Sequence, residues 1–157
     1  MKKNVIVSLA DSNYFELLDE LVNSIKSFEK SKDTAICILD AGLSAEQKEI
    51  LSKKVDEIKP AEWDIEVPAI KVFGKEWLKS QVSRAFLPKY FPNYEKYLWI
   101  DCDAWVNDWK SLSFSHTSLP VLCAKSLWII IAKASTGSAF TKIPSFTRSP
   151  SLLSIIS

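Results

Sequence analysis

Three short and almost uninterrupted apolar runs constrain this chain more than any other feature. They are Val5-Ile6-Val7-Ser8-Leu9-Ala10, Thr34-Ala35-Ile36-Cys37-Ile38-Leu39 and Tyr97-Leu98-Trp99-Ile100. Runs of this length without polar alternation are the pattern of strands covered on both faces. Between the first two, Phe15, Leu18, Leu21, Val22, Ile25 and Phe28 recur at helical spacing, which predicts an amphipathic helix over residues 14–30. After the second, Ser44 with Gln47 three residues on is a capping box. Ile50, Leu51, Val55 and Ile58 then give the apolar side of a helix that Pro60 ends. Trp63 to Val67 alternates as a short strand would, and Trp77 to Tyr90 reads as a helix that Pro88 shortens or kinks. Strands alternating with helices in this order predict an α/β fold, a mainly parallel sheet flanked by helices.

In such sheets ligands bind outside the carboxyl ends of the strands. Two polar breaks fall at such ends, Asp11-Ser12-Asn13 and Asp101 with Asp103. The two carboxylates directly follow the third apolar run at i, i+2, which puts them on one side of an extended chain. Paired hard oxygen ligands suit Mg²⁺ or Mn²⁺ that also holds a diphosphate. The chain has only Gly42, Gly74 and Gly137, so neither a dinucleotide fingerprint nor a Walker loop is present. Any bound phosphate would depend mainly on metal.

The 157 residues are a prior for one domain with a real core. The net charge of +1 conceals two unlike parts. All 19 acidic residues lie at or before Asp108, whereas the stretch after it carries Lys110, Lys125, Lys133, Lys142 and Arg148 and is rich in serine. At an ordinary acidic content of roughly one residue in eight, so long an acid-free stretch arises well under about 1% of the time. Those five cations stand far apart, which argues against a nucleic-acid partner. Cys37, Cys102 and Cys123 show no metal-ligand spacing and read as reduced buried thiols. The apolar run after Met1-Lys2-Lys3 is too short for a signal peptide, and Leu127 to Ala132 is too short to span a bilayer, so no transmembrane segment is expected.

The residues resemble the nucleotide-sugar-binding part of a GT-A glycosyltransferase, most closely glycosyltransferase family 8. Val7-Ser8-Leu9-Ala10-Asp11-Ser12-Asn13-Tyr14 resembles its first strand and uridine-binding turn, and Leu39-Asp40-Ala41-Gly42-Leu43-Ser44 its second strand and turn. Tyr97-Leu98-Trp99-Ile100-Asp101-Cys102-Asp103 resembles its metal-binding Asp-x-Asp strand, and Ser83-Arg84-Ala85-Phe86-Leu87-Pro88 falls where the family has a donor-site arginine. The resemblance implies that Ala10, Asp11 and Asn13 contact uracil and ribose, with Tyr14 near the base. It implies that Arg84 reaches the donor sugar or diphosphate and that Asp101 and Asp103 hold Mn²⁺ or Mg²⁺. A UDP-sugar donor, a saccharide or glycolipid acceptor and retention of anomeric configuration follow from the same likeness, as does a cytoplasmic site with peripheral contact to the inner membrane face as a variant. No nucleophile is identifiable.

The local readings of these residues are plainer. Asp11 and Asn13 can cap the following helix, Arg84 can be an exposed helical charge, and Asp101 and Asp103 can be surface turn acids. Trp99, Trp105 and Trp109 read as packing rather than sugar platforms. Two other functions compete. A haloacid dehalogenase-type phosphatase also uses Asp-x-Asp, but its motif opens the domain and favours Thr or Val where this chain has Trp105. A non-catalytic fragment is the other.

The resemblance covers about residues 4–112 and then stops. The family continues into an acceptor site and a late His-x-x-Gly-x-x-Lys-Pro-Trp segment whose histidine completes the metal site. The only histidine here, His116, precedes Thr117-Ser118-Leu119 and does not match. Residues 1–112 are therefore read as the donor-binding part, and 113–157 as a non-native or disordered tail produced by a reading-frame change near 110–115. Tryptophan has one codon, so Trp128-Ile129 read from the last base of that codon must encode Asp. Codons permitted for Pro120 to Lys133 can spell Gly-Ala-Leu-Cys-Glu-Ile-Pro-Val-Asp-Tyr-His-Arg-Lys in that frame, which restores acidic residues. Such a truncated chain is expected to transfer sugar poorly or not at all.

Overall fold

A computed structural model describes residues 2–66, 68–112 and 130–133. Among the described residues five strands form one sheet, in the order β3-β2-β1-β4-β5. They are β1 (Asn4–Ala10), β2 (Thr34–Asp40), β3 (Glu57–Pro60), β4 (Lys96–Trp99) and β5 (Ile130–Lys133). The first four are parallel, with Val5 opposite both Ala35 and Tyr97, and β5 runs antiparallel to β4 with Ile130 opposite Trp99. The expected α/β architecture is thus present. Apart from Ile130–Lys133, the serine-rich tail lies outside the described residues.

Both faces of β1, β2 and β4 are covered, which is why these strands read as continuous apolar runs. On one face, Ile6, Ile38 and Ile100 pack against Leu18, Leu21, Val22 and Ile25 of α1 (Phe15–Lys26) and Leu51 of α2 (Ala45–Ser52). On the other, Val7, Leu39 and Trp99 pack against Leu87, Tyr90 and Phe91. Leu18 and Leu21 are fully buried, and each such side chain contributes about 1.5–3 kcal/mol relative to exposure. No described helix is long and apolar enough to cross a membrane.

Several boundaries differ from the sequence expectation, for physical reasons. The first helix is narrower than 14–30, because a 3₁₀ turn at Ser12–Tyr14 and a short 3₁₀ helix at Glu29–Asp33 flank α1. The capping box forms as expected, with Ser44 Oγ accepting from Gln47 N–H and Gln47 Oε1 accepting from Ser44 N–H. The helix it starts ends at Ser52, not at Pro60. Asp56 N–H donates to the Ile36 carbonyl at 2.8 Å, and its carboxylate accepts the Ile36 N–H at 2.9 Å, drawing the chain into β3. Val55 and Ile58 still pack, partly buried, against the core, so their helical spacing was coincidental.

Within Trp63 to Val67 the described residues form no strand. The alternation misleads because the inward side chain is polar. The Asp64 side chain is 1% exposed and accepts from Tyr90 Oη and Lys89 Nζ, whereas Ile65 is exposed. The segment from Trp77 to Tyr90 is helical in pieces: a 3₁₀ turn at Glu76–Leu78, α4 (Lys79–Ser83), a 3₁₀ turn at Arg84–Phe86 and α5 (Leu87–Tyr90). Pro88 stands in the first turn of α5, where its missing N–H removes no helical bond. A further short helix, α3 (Ala69–Val72), precedes them.

Candidate functional site

The strand order sets the position of the site. From β1 the chain builds β2 and β3 on one side, then returns to place β4 on the other. The β1–β4 boundary is a topological switch point, the place where open parallel sheets leave a crevice at their carboxyl ends. Residues 11–14 leave β1 at this edge, and residues 100–103 leave β4 beside them.

The β1 lip is fixed by local hydrogen bonds. Asp11 Oδ1 accepts the N–H groups of Asn13 at 2.9 Å and Tyr14 at 3.2 Å, so the capping reading of this aspartate is realised. The turn after β2 is joined to it. Ser12 N–H donates to the Gly42 carbonyl at 3.2 Å, Gln47 Nε2 donates to the Ser12 carbonyl at 3.2 Å, and Ala41 N–H donates to the Ala10 carbonyl at 3.0 Å. Gly42 has φ +131, a conformation that side chains other than glycine's rarely adopt. Asp40 holds this second turn by accepting from Gly42 N–H at 2.8 Å and Leu43 N–H at 2.6 Å, and it pairs with Lys48. Burial pushes the Asp40 carboxyl up, but those two N–H groups and Lys48 outweigh it and hold it below the ordinary aspartate value.

The β4 lip carries the ion pair. Arg84, on the 3₁₀ turn between α4 and α5, donates from Nη2 to Asp101 Oδ1 at 2.8 Å and from Nε to the Ser80 carbonyl at 3.0 Å. Its side chain is only 10% exposed, so the reading of Arg84 as a solvated helical charge is corrected. Burial pulls the guanidinium down from its ordinary range, while Asp101 and then Asp103 push it back up. The guanidinium also lies over the Trp99 ring, 5.1 Å from its centre, a cation–π geometry. Trp99 Nε1 donates to Asp101 Oδ1 at 2.8 Å.

The two aspartates are presented by a turn, not by the strand itself. β4 ends at Trp99, and Ala104 N–H donates to the Asp101 carbonyl at 3.0 Å. Strand geometry therefore does not align Asp101 with Asp103, yet both act on Arg84. Cys102 between them packs against the core, and burial, Asp103 and Asp101 push its thiol up to about 11. Asp11 acts on the same thiol, which places the β1 lip within electrostatic reach of the aspartate turn.

The donor set suits a divalent cation only in part. Oδ1 of Asp101 is taken by two N–H donors, leaving Oδ2, and Asp103 is exposed. These are hard oxygen donors of the kind Mg²⁺ and Mn²⁺ accept, and Mg²⁺ commonly binds through one or two carboxylates, water and substrate phosphate. Among the described residues no cluster of three or more metal-ligating side chains exists. Two carboxylates of this kind would leave most of a cation's shell to solvent and ligand.

Among the other expected residues, Ala10 is buried at the end of β1, Asn13 is exposed, and Tyr14 is 48% exposed. Of the tryptophans, Trp99 is buried, Trp109 packs against Phe28 with ring centres 6.0 Å apart, and Trp105 is exposed. Sequence reasoning assigned no site role to Asp40, Gly42 or the Trp99 indole N–H, and none to Gln47 beyond the capping box. The signal for Trp99 was its place at the end of the apolar run, two residues before Asp101.

A mainly parallel α/β sheet with an Asp-x-Asp turn at its β1–β4 switch point is an arrangement that nucleotide-sugar transferase folds share, and the comparisons agree with that class. Residues 5–113 match the profile of Glycosyl transferase family 8, and the chain belongs to that family. Among solved structures it is similar to an active-site mutant of LgtC, with 20% identity and a TM-score of 0.54 over 71% of this chain and 42% of that one. It is also similar to galactosyltransferase LgtC in complex with donor and acceptor sugar analogs, with 21% identity and a TM-score of 0.51 over 69% of this chain and 41% of that one. A third is the apo structure of the bifunctional glycosyltransferase WbbM, with 23% identity and a TM-score of 0.52 over 71% of this chain and 20% of that one. These likenesses establish the GT-A fold, and the chain spans less than half the length of each structure. No curated protein matches the chain. The phosphatase alternative finds no support in the family, and its Asp-x-Asp motif opens a domain, whereas here the motif follows the fourth strand.

Proposed function

We propose that residues 1–112 are the donor-binding part of a hexosyltransferase that takes a UDP-sugar and a saccharide or glycolipid acceptor. The single observation that carries this reading is the juxtaposition of the Asp11–Tyr14 turn with the Arg84–Asp101 pair at one switch-point edge. LgtC has been solved with donor and acceptor sugar analogs, which supports the same substrate classes here.

In this reading Ala10, Asp11 and Asn13 line the uracil and ribose position, and Tyr14 offers an exposed ring near the base. Arg84, held by Ser80 and Asp101, neutralises diphosphate charge. Asp101 and Asp103 are the residues that would hold Mn²⁺ or Mg²⁺. Such a cation supplies Lewis-acid stabilisation of the departing nucleoside diphosphate. Transfer also needs an acceptor fixed in attack geometry, and nothing in residues 1–112 is assigned to that task. Residues 113–157 are proposed to be a tail from a displaced reading frame, so the chain binds donor and transfers sugar weakly or not at all. A cytoplasmic site, peripheral to the membrane where the acceptor is a glycolipid, completes the reading.

Calorimetry of UDP binding with and without Mn²⁺ tests the proposal. Mn²⁺-dependent binding that Asp101→Asn and Asp103→Asn each weaken is expected. Absence of UDP binding in the presence of Mn²⁺ would overturn the donor reading, and efficient transfer by the purified chain would overturn the proposed loss of activity.

A further inference from the structure

We propose that Trp99 is a positioning residue for the Asp101 carboxylate, acting through its indole N–H rather than through ring bulk alone. The inference rests on the donor reading above and extends it to a residue behind the aspartate. Trp99 is 1% exposed and sits on the sheet face covered by Leu87, Tyr90 and Phe91. A buried indole needs one acceptor for its N–H. Here that acceptor is Asp101 Oδ1, at 2.8 Å.

The same oxygen accepts Arg84 Nη2 at 2.8 Å. A carboxylate oxygen offers two lone-pair sites, so the two donors saturate Oδ1 and leave Oδ2 as the free oxygen. Two donors from different directions also fix rotation about the Cβ–Cγ bond, which one donor does not. The Arg84 guanidinium, 5.1 Å from the Trp99 ring centre, is itself oriented by the indole. Trp99 therefore sets both partners of the pair: it aims Asp101 directly and supports the cation that shares its oxygen. Partners that orient a metal ligand in this way typically change metal affinity 10–100-fold when removed.

The test compares the intact chain with Trp99→Phe, which keeps an aromatic ring and loses the N–H. UDP binding is titrated against Mn²⁺, and thermal melting of the metal-free protein is recorded. The expected result is a rise of about tenfold or more in the Mn²⁺ concentration needed for half-maximal UDP binding, with UDP affinity at saturating Mn²⁺ nearly retained. If Trp99→Phe does not fold, benzothienylalanine at position 99 replaces it, since sulfur stands where the N–H was and the ring volume is kept. An unchanged Mn²⁺ midpoint in a folded variant overturns the inference while leaving the donor reading intact. Equal weakening at limiting and saturating Mn²⁺ assigns Trp99 to packing and also overturns it. Failure of the unsubstituted chain to bind UDP with Mn²⁺ overturns the donor reading and the inference together.

Discussion

Arg84 Nη2 stands 2.8 Å from Asp101 Oδ1, joining the helical run before β4 to the turn after it across 17 residues of chain. The two side chains are 10% and 20% exposed, so the pair is well shielded from solvent without being sealed off. Arg84→Ala leaves Asp101 with the indole N–H alone. Loss of one partner from such a charge-assisted bond costs about 1–3 kcal/mol, read as a lower urea midpoint. Arg84→Lys keeps the charge but loses the planar fork and the stacking over Trp99, so an intermediate midpoint is expected. A midpoint for Arg84→Ala equal to that of the unsubstituted chain would show that the pair contributes no stability.

The β2 turn gives a pH dependence of defined sign. Asp40 is held below its ordinary value of 3.8 despite burial, because Leu43 N–H, Gly42 N–H and Lys48 all favour the carboxylate. A carboxyl depressed on folding adds stability above its unfolded pKa and loses it as pH falls through the lower folded value. Melting temperature is therefore expected to fall below about pH 4, and Asp40→Asn to flatten that part of the profile. An identical acid slope in Asp40→Asn would refute the assignment. Gly42 and Gln47 connect this turn to Ser12, so the loss of Asp40 is also expected to weaken UDP binding.

Much of the frame was legible because burial on both faces writes itself as continuous apolar sequence. Val5 to Ala10 and Thr34 to Leu39 became β1 and β2 with almost the expected bounds. What misled were places where tertiary contacts override the local pattern. Asp64 turned inward to Tyr90 and Lys89, and no single-segment pattern shows that a carboxylate has a buried hydroxyl waiting. Asp56 exchanged hydrogen bonds with Ile36, 20 residues earlier, and ended a helical pattern by recruiting β3. At the turn after β4 the sharing of one Asp101 oxygen by Arg84 and Trp99 depends on three-dimensional packing, which no spacing of residues in the sequence reveals.

The aspartate turn has a second anchor. Ser24 in α1 donates from Oγ to the Leu21 carbonyl at 2.7 Å and accepts the Val106 N–H at 3.2 Å, and both Ser24 and Val106 are buried. Ser24→Ala orphans the Val106 N–H at a cost of about 1–3 kcal/mol. The effect is expected to be local as well as global: hydrogen exchange at Val106 and Ala104 speeds up more than at the β1 amides. Equal acceleration everywhere would mean that Ser24 serves only general stability.

The acid-free stretch after Asp108 yields the last prediction. Ile130–Lys133 pairs antiparallel with β4, placing Ile131 opposite Leu98. Strand pairing is made by backbone N–H and carbonyl groups, so a short apolar segment can occupy a sheet edge whatever frame encoded it. The strand is therefore compatible with a displaced frame. The charge pattern is what discriminates, since a native continuation would contain Asp and Glu at ordinary frequency. Reading the coding DNA across residues 105–157 in the frame displaced by one base is expected to give an open run with acidic residues, continuing to a late His-x-x-Gly-x-x-Lys-Pro-Trp-like segment. An early stop in that frame would make the basic tail genuine and overturn the displaced-frame reading, and residues 1–112 would then need a different, non-catalytic explanation.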